Sequence, residues 1–204
     1  ISFLGAMHGK TLGALMVGGK TKEKHWIVNH DPDMYHLPFP DESATAETFH
    51  SDLESLKNQG VDLSTITAFM IESYHGWGAL FYSKEYIKAI RQWANENQII
   101  VIFDEIQSGF GRTGKLFAYE HYDVEADLVC CGKGISSGLP LSAVLGRTEL
   151  IDVDPSLNST HGGNPICCAA TLASLEVLED ENLIHESARK GLLLEKELIK
   201  IKNK

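Results

Sequence analysis

The run Ile99–Phe103 constrains the fold of this chain more than any other segment, because its five residues, IIVIF, are all apolar. A strand of this kind must be buried on both faces, as in a parallel sheet covered by helices. The preceding segment, Ser83–Gln98, has a helical period. Its apolar stripe consists of Tyr86, Ile87, Ile90, Trp93 and Ala94. Before it, Thr65–Ile71 (TITAFMI) is rich in β-branched and aromatic residues, which completes a strand, helix, strand order typical of a βαβ unit.

Three further segments extend this alternation toward the C-terminus. Asp127–Cys131 (DLVCC) and Ser142–Gly146 (SAVLG) are predicted to be short strands. Asn164 and Pro165 fit the cap and first residue of a helix that runs through Leu178. The whole pattern predicts an α/β fold with a mainly parallel sheet.

The remaining segments predict a loop and an incomplete chain. Residues 21–45 contain three prolines and little periodicity, which indicates a long loop, and such loops often have a function. The chain begins inside an apparent strand at Ile1–Leu4 and stops inside an apolar-rich helical pattern over residues 192–201. We therefore expect it to be incomplete at both ends.

Composition excludes several classes of function. The 204 residues, 43% hydrophobic and 23% charged, have the size and composition of one soluble globular domain. Lys and Arg number 18 against 28 Asp and Glu, and the net charge of -10 disfavours nucleic acid and anionic membranes as partners. No run of about 18 apolar residues predicts a membrane span.

The four cysteines form two adjacent pairs, Cys130-Cys131 and Cys167-Cys168, without the C-x-x-C spacing of metal or redox sites. We expect them to be reduced and buried, as free cysteines usually are. Because the spacing is not that of a metal site, we expect no bound metal. The sequence also contains no export signal, and together with reduced cysteines this indicates a cytoplasmic protein.

A phosphate-binding loop is the first candidate site, because Gly109–Lys115 satisfies the pattern GxxxxGK. A true P-loop follows its own strand, opens a helix and has Ser or Thr after the lysine to bind magnesium. Here Leu116 follows the lysine, and the acidic strand directly precedes the loop. The resemblance to a P-loop is therefore rejected.

Asp104 and Lys133 are stronger candidates, because each follows a predicted strand. A buried carboxylate at Asp104 needs a cation or hydrogen-bond donors, although an aspartate that only caps a turn is the simpler alternative. Lys133 lies between Gly132 and Gly134, which let the backbone turn and let a bulky partner approach the amine. The simpler alternative is a solvated surface lysine.

Together these two residues suit pyridoxal phosphate (PLP). That cofactor needs a carboxylate at its pyridinium nitrogen and a lysine that forms a Schiff base with its aldehyde. Both residues follow strands at their carboxyl ends, where open α/β sheets bind ligands.

Longer motifs point to a family. Residues 101–146, VIFDEIQSGFGRTGKLFAYEHYDVEADLVCCGKGISSGLPLSAVLG, resemble the core of the class III PLP-dependent aminotransferases. HGKTLGA at 8–14 and THGGNP at 160–165 resemble motifs that flank this core. The resemblance covers nearly the whole chain. It implies a three-layer, fold-type-I large domain, with residues 1–204 as a partial PLP-binding large domain that lacks the upstream phosphate loop and the C-terminal small domain.

The resemblance also implies a role for each matching residue. Lys133 would form the internal aldimine, and Asp104 would keep the ring nitrogen protonated. Gln107 would hydrogen-bond the phenolic oxygen of the cofactor, unless it only stabilises a turn. Thr160 would reach the phosphate bound by the neighbouring subunit, which implies a homodimer; its alternative is a helix cap. Glu72 would lie near the active site, unless it only pairs with a local cation.

Two positions depart from the family pattern. Met7 precedes His8 where the family commonly has Phe or Tyr stacked on the cofactor, so we expect Met7 and His8 beside the ring. Residues 72–79 read ESYHGWGA where many members read E-P-x-Q-G-E-G-G, so Trp77 replaces a glutamate that pairs with a switching arginine in several relatives. A preference for 4-aminobutyrate or ornithine is therefore not expected.

The function implied by the resemblance is transamination between an amino donor and a keto acid, with PLP as the cofactor. Cofactor residues do not decide the fate of the carbanion, so an aminomutase, racemase or decarboxylase remains an alternative. A non-catalytic chain that retains the fold is a further alternative. We expect residues 1–204 alone to be inactive.

Overall fold

The computed structural model describes residues 1–202, which contain six strands, six α-helices and four short 3₁₀ helices. The strands are β1 (Ser2–Phe3), β2 (His36–Leu37), β3 (Ala68–Glu72), β4 (Ile100–Asp104), β5 (Leu128–Cys131) and β6 (Ala143–Gly146). The α-helices are α1 (Leu12–Val17), α2 (Ala46–Asn58), α3 (Lys84–Asn97), α4 (Thr148–Ile151), α5 (Pro165–Asp180) and α6 (Leu183–Lys202). The 3₁₀ helices are Thr21–Lys24, Leu63–Thr65, Ala118–Tyr122 and Lys133–Ser136.

The strands form two sheets, one with the order β1-β2 and one with the order β3-β4-β5-β6. β3 and β4 pair in parallel, with Ala68 opposite Ile100 and Glu72 opposite Asp104. β1 and β2 also pair in parallel. The predicted α/β fold with a mainly parallel sheet is therefore confirmed.

The chain divides into two compact units. The first contains residues 1–104 and 122–128, and the second contains residues 105–121 together with the chain from Val129 onward. The division falls directly after Asp104, so Asp104 belongs to the first unit and Lys133 to the second.

The core of the first unit is aromatic. Phe3 lies 5.7 Å from Phe69 and 6.1 Å from Tyr86 between ring centroids, and Phe49 lies 5.6 Å from Tyr86. These rings are fully buried, and aromatic pairs at such separations stabilise a core beyond their buried area. They fix β1, α2, β3 and α3 to one another, and so they position the carboxyl ends of β3 and β4.

The βαβ unit predicted from the sequence is present. Ser83 caps α3 by accepting a hydrogen bond from the Tyr86 N–H, and Gln98 ends the helix in the left-handed region at a φ of 57°. The predicted stripe is buried except for Trp93, which is half-buried. The predicted strand at 65–71 is shifted, because residues 63–65 form a 3₁₀ turn capped by Asp62.

The prediction of a long loop over residues 21–45 is partly wrong. Residues 21–24 form a 3₁₀ helix, and His36–Leu37 form β2. The backbone of β2 is ordered by pairing with β1, a long-range contact that no local pattern encodes.

The predicted helix after Asn164 is confirmed, since the Asn164 side chain accepts a hydrogen bond from the Ile166 N–H and Pro165 is the first helical residue. All four cysteines are free; Cys131 and Cys167 are buried, whereas Cys130 and Cys168 are only partly so. None of the helices within residues 1–202 combines the length and the apolar character needed to span a membrane.

Candidate active site

Asp104 is the last residue of β4 and is only 6% exposed. Its Oδ2 lies 2.8 Å from Nδ1 of His8, which is also buried. With a proton on Nδ1, His8 donates this hydrogen bond to the Asp104 carboxylate. The prediction that Asp104 must meet a cation or a donor is confirmed.

The other ring nitrogen of His8 differs from the first. Nε2 is buried and has no hydrogen-bond partner within residues 1–202. A buried polar atom without a partner is costly, and in native proteins such atoms concentrate at functional sites. The unpaired Nε2 therefore adds to the evidence for a site beside Asp104.

Glu72 is the neighbour of Asp104 on the adjacent parallel strand, and it is 7% exposed. Its Oε2 accepts a hydrogen bond from the Met7 N–H at 3.1 Å. Burial raises the pKa of Glu72 above its ordinary value, and the Met7 N–H and the nearby His8 oppose this shift. The ends of β3 and β4 thus hold two buried carboxyl groups side by side, at the edge where α/β sheets bind ligands.

Met7 is half-buried and links this carboxyl pair to a cation. The Nζ of Lys20 lies 3.6 Å from the Met7 sulfur and 3.8 Å from the ring centroid of Trp77. Trp77 itself is 74% exposed. Lys20 could not be predicted from the sequence, because no motif marks it and it is far from Trp77 along the chain.

Lys133 lies in the second unit, two residues after the end of β5, and its side chain is exposed. It begins a 3₁₀ helix with a φ of 36°, a left-handed conformation that L-residues rarely adopt. Such a conformation costs about 1–3 kcal/mol and persists where the surroundings impose it, often at functional sites. Gly132 lets the backbone before Lys133 pass close to the Ile106 side chain, because a Cβ at position 132 would lie 3.2 Å from a methyl carbon of Ile106.

Gln107 is exposed on the loop that follows β4. That loop is held by Glu105, which is fully buried and accepts hydrogen bonds from the Ser108 hydroxyl at 2.6 Å and the Tyr119 N–H at 2.8 Å. The Ala118 N–H donates to the same carboxylate at 3.0 Å. Glu105 was not among the residues predicted from the sequence, although an acidic residue after so apolar a strand is a signal that buried donors surround it.

Thr160 is exposed in a turn before α5. The alternative reading of Thr160 as the cap of this helix is wrong, because Asn164 provides that cap. The structure therefore brings Met7, His8, Glu72 and Asp104 together in the first unit. Lys133, Gln107 and Thr160 belong to the second unit, each with an exposed side chain.

Comparison with known proteins identifies what this chain resembles. It is 41% identical over 189 residues to a 2-aminoadipate transaminase of Pseudomonas putida, which covers 90% of this chain and 45% of that enzyme. It is 37% identical over 183 residues to an acetylornithine aminotransferase of Methanocaldococcus jannaschii, covering 88% of this chain and 43% of the relative. The chain thus spans a little less than half the length of these curated relatives.

Solved structures of transaminases are also similar to this chain. An (S)-enantioselective omega-transaminase from Thermomicrobium roseum matches with a TM-score of 0.86 and 32% identity, over 100% of this chain and 49% of that one. An amine transaminase from an uncultivated Pseudomonas species, solved in its PLP-bound internal aldimine form, matches with a TM-score of 0.84 and 26% identity, over 95% of this chain and 48% of that one. The profile of the family described as Aminotransferase class-III matches residues 1–204. The chain therefore belongs to the class III aminotransferase family.

Proposed function

We propose that the full-length protein is a PLP-dependent aminotransferase that moves an amino group between an amino donor and a keto acid. Membership of the class III family supports the reaction class. The single structural observation that carries the proposal is the buried Asp104 carboxylate at the end of β4, held by His8.

The residues present fit the cofactor. A pyridinium N–H requires an ionised carboxylate in a site that excludes water, and Asp104 is buried while His8 donates to it. A hydrogen bond to a carboxylate favours its charged form. Lys133, between two glycines and in a left-handed conformation, offers an exposed amine at the end of a strand. When bound, PLP supplies an electron sink for the carbanion formed on the donor.

The residues of this chain would divide the remaining work. Lys133 Nζ would hold the cofactor covalently and, once released by the donor amine, would move a proton to and from carbon. Asp104 would keep a proton on the ring nitrogen, and His8 would hold Asp104 ionised and oriented. Gln107 would donate to the phenolic oxygen of the cofactor. Glu72 would shape the site from the adjacent strand end.

Three further assignments complete the proposal. Met7 would place a thioether, rather than an aromatic ring, beside the cofactor. Thr160 would reach the cofactor phosphate of a second subunit, so the enzyme would be a homodimer. Residues 1–204 would form part of the PLP-binding large domain, a proposal supported by their coverage of about half of each relative. The four free cysteines support a reducing, cytoplasmic location.

The test uses the full-length protein, purified with PLP. We expect an amino donor to shift the cofactor absorbance, and a keto acid to restore it. Loss of carbon dioxide, inversion of the donor or movement of its amino group within one molecule would instead identify a decarboxylase, racemase or aminomutase. A protein that binds no cofactor would be a non-catalytic relative.

A further inference from the structure

Lys20 is fixed beside Met7 by the backbone that precedes it. The Gly19 N–H donates to the Ala6 carbonyl oxygen at 2.8 Å, and the Gly5 N–H donates to the Gly19 carbonyl oxygen at 3.1 Å. A Cβ at Gly19 would lie 2.6 Å from the backbone nitrogen of Gly5, so only glycine permits this approach. These contacts fix the backbone directly before Lys20, from which its side chain reaches the Met7 sulfur.

Trp77 lies at the tip of a tight turn. The His75 N–H donates to the Leu80 carbonyl oxygen at 2.8 Å, and the Gly78 N–H donates to His75 Nδ1 at 3.2 Å. The turn presents the indole of Trp77 to solvent, with 74% of the residue exposed. Lys20 Nζ covers one face of the ring at 3.8 Å from its centroid, in the geometry of a cation–π contact.

The charge of Lys20 is poorly compensated. Its side chain is 18% exposed, so most of the lysine is withdrawn from solvent. Within residues 1–202 the one carboxylate oxygen in ion-pair range is Glu23 Oε1 at 4.0 Å, too far for a hydrogen bond. The Met7 sulfur at 3.6 Å is a weak acceptor. An ammonium whose partners are all weak can gain a stronger, charge-assisted contact from an added anion.

The contacts of Lys20 lead to the proposed active site. Met7, which Lys20 touches, donates its N–H to Glu72 and is followed by His8, which donates to Asp104. All of these residues belong to the first unit. Lys20 and Trp77 are therefore linked through Met7 and His8 to Asp104, the residue that we propose to bind the ring nitrogen of the cofactor.

We infer that Lys20 binds a carboxylate of the amino donor while Trp77 packs against an apolar side chain of that donor. The inference rests on the proposed function and narrows its substrate class to apolar α-amino acids over amines without a carboxylate. The cation selects the carboxylate, and the exposed indole offers an apolar surface for the side chain.

The first experiment measures binding without chemistry. Isothermal titration calorimetry of the full-length, PLP-loaded protein compares 3-phenylpropionate with 2-phenylethanol, which has no carboxylate. We expect Lys20→Gln to weaken the affinity for 3-phenylpropionate at least about tenfold, which corresponds to the loss of one charge-assisted contact of about 1.4 kcal/mol. Lys20→Arg keeps the charge and should retain most of the affinity. Lys57→Gln, an exposed lysine on α2, is the matched control and should change nothing.

A second variant keeps the inference testable if Lys20→Gln does not fold. Trp77→Glu changes an exposed residue and places a competing carboxylate beside Lys20, so it should weaken 3-phenylpropionate as well. Trp77→Leu should weaken the binding of 3-phenylpropionate but not that of propionate, because this variant removes the indole ring and leaves the Lys20 ammonium in place. The inference would be overturned if the wild type, Lys20→Gln and Trp77→Glu all bound 3-phenylpropionate with the same affinity. It would also be overturned if the wild type bound 2-phenylethanol as tightly as 3-phenylpropionate.

Turnover separates this inference from the proposed function. We expect Lys20→Gln to lower kcat/KM for L-phenylalanine at least about tenfold and to leave 2-phenylethylamine nearly unchanged. Equal loss for both donors would overturn the role of Lys20 while leaving transamination intact. If no donor alters the cofactor absorbance but carboxylate binding still depends on Lys20, the proposed function fails and the carboxylate site remains.

Discussion

Asp104 Oδ2 accepts a hydrogen bond from His8 Nδ1 at 2.8 Å, and both side chains are buried. The pair joins residues 96 positions apart in the chain, at the end of a strand that buries Val101 and Phe103 in the core. The donor compensates the cost of burying the carboxylate and fixes its orientation. We propose that this arrangement prepares Asp104 to hold a positively charged group.

Asp104→Asn tests this preparation in the full-length protein. The change keeps the size and an acceptor for His8 but removes the charge, so we expect a small change in Tm. The rate of the half-reaction should fall about a thousandfold or more, equivalent to about 4 kcal/mol of lost transition-state stabilisation. Stopped-flow absorbance measures the rate.

Asp127→Asn is the matched control for this variant. Asp127 pairs with Arg91 at 2.6 Å and accepts a hydrogen bond from the Val101 N–H at 2.8 Å, near the end of β4 opposite to Asp104. Its replacement should lower Tm with little effect on the rate. If Asp104→Asn remains within tenfold of the wild type, Asp104 is only a structural residue at the end of β4.

Lys133 should be the residue that bonds to the cofactor. Borohydride reduction of the PLP-loaded, full-length protein followed by peptide mapping should locate the pyridoxyl group there, because its amine is exposed after β5. Lys133→Arg should abolish the covalent absorbance, whereas Lys115→Arg should retain it. Labelling at Lys115 would refute the assignment.

The sequence predicted the elements whose burial is encoded locally. The apolar run of β4 and the stripe of α3 need no knowledge of distant residues, and both were found within a residue or two of their predicted bounds. α2 escaped prediction, because its capping box uses Thr48 with Thr45 in place of the usual Glu or Gln. β2 also escaped, because only its pairing with β1 orders it.

The same distinction applies to the candidate site. Asp104 and Lys133 could be proposed from the sequence because each follows a strand, a feature that the local pattern contains. Lys20 could not, because only its approach to Trp77 and Met7 in space distinguishes it from other lysines. Residues that come into contact only in the folded protein produce no local periodic pattern in the sequence, so such contacts cannot be predicted from one sequence.

Glu72→Gln should change how stability depends on pH. Burial raises the folded-state pKa of Glu72 above its ordinary value of 4.5, so the unfolded chain gives up this proton at a lower pH than the folded protein. The contribution of Glu72 to stability is complete below 4.5 and is lost as the pH rises through the raised folded-state pKa. Glutamine retains an acceptor for the Met7 N–H without the charge.

The measurement for Glu72 compares Tm of the full-length wild type and variant at about pH 4 and about pH 7. We expect the variant to gain stability relative to the wild type at the higher pH. Glu54→Gln, an exposed glutamate on α2, should show no such gain. A variant that loses stability equally at both pH values would show that the charge of Glu72 is not the cause.

Gly19→Ala should disturb the position of Lys20 through the backbone. The added Cβ would overlap the Phe3 carbonyl oxygen, and rigid backbone cannot yield as a flexible side chain would. We expect a destabilisation of about 1–3 kcal/mol, visible as a lower Tm, together with weaker binding of 3-phenylpropionate. Gly13→Ala is the matched control, since a Cβ there meets nothing within 4 Å and alanine favours helix α1. Equal Tm values for the two variants would mean that residues 3–6 do not hold Gly19 as closely as the structure indicates.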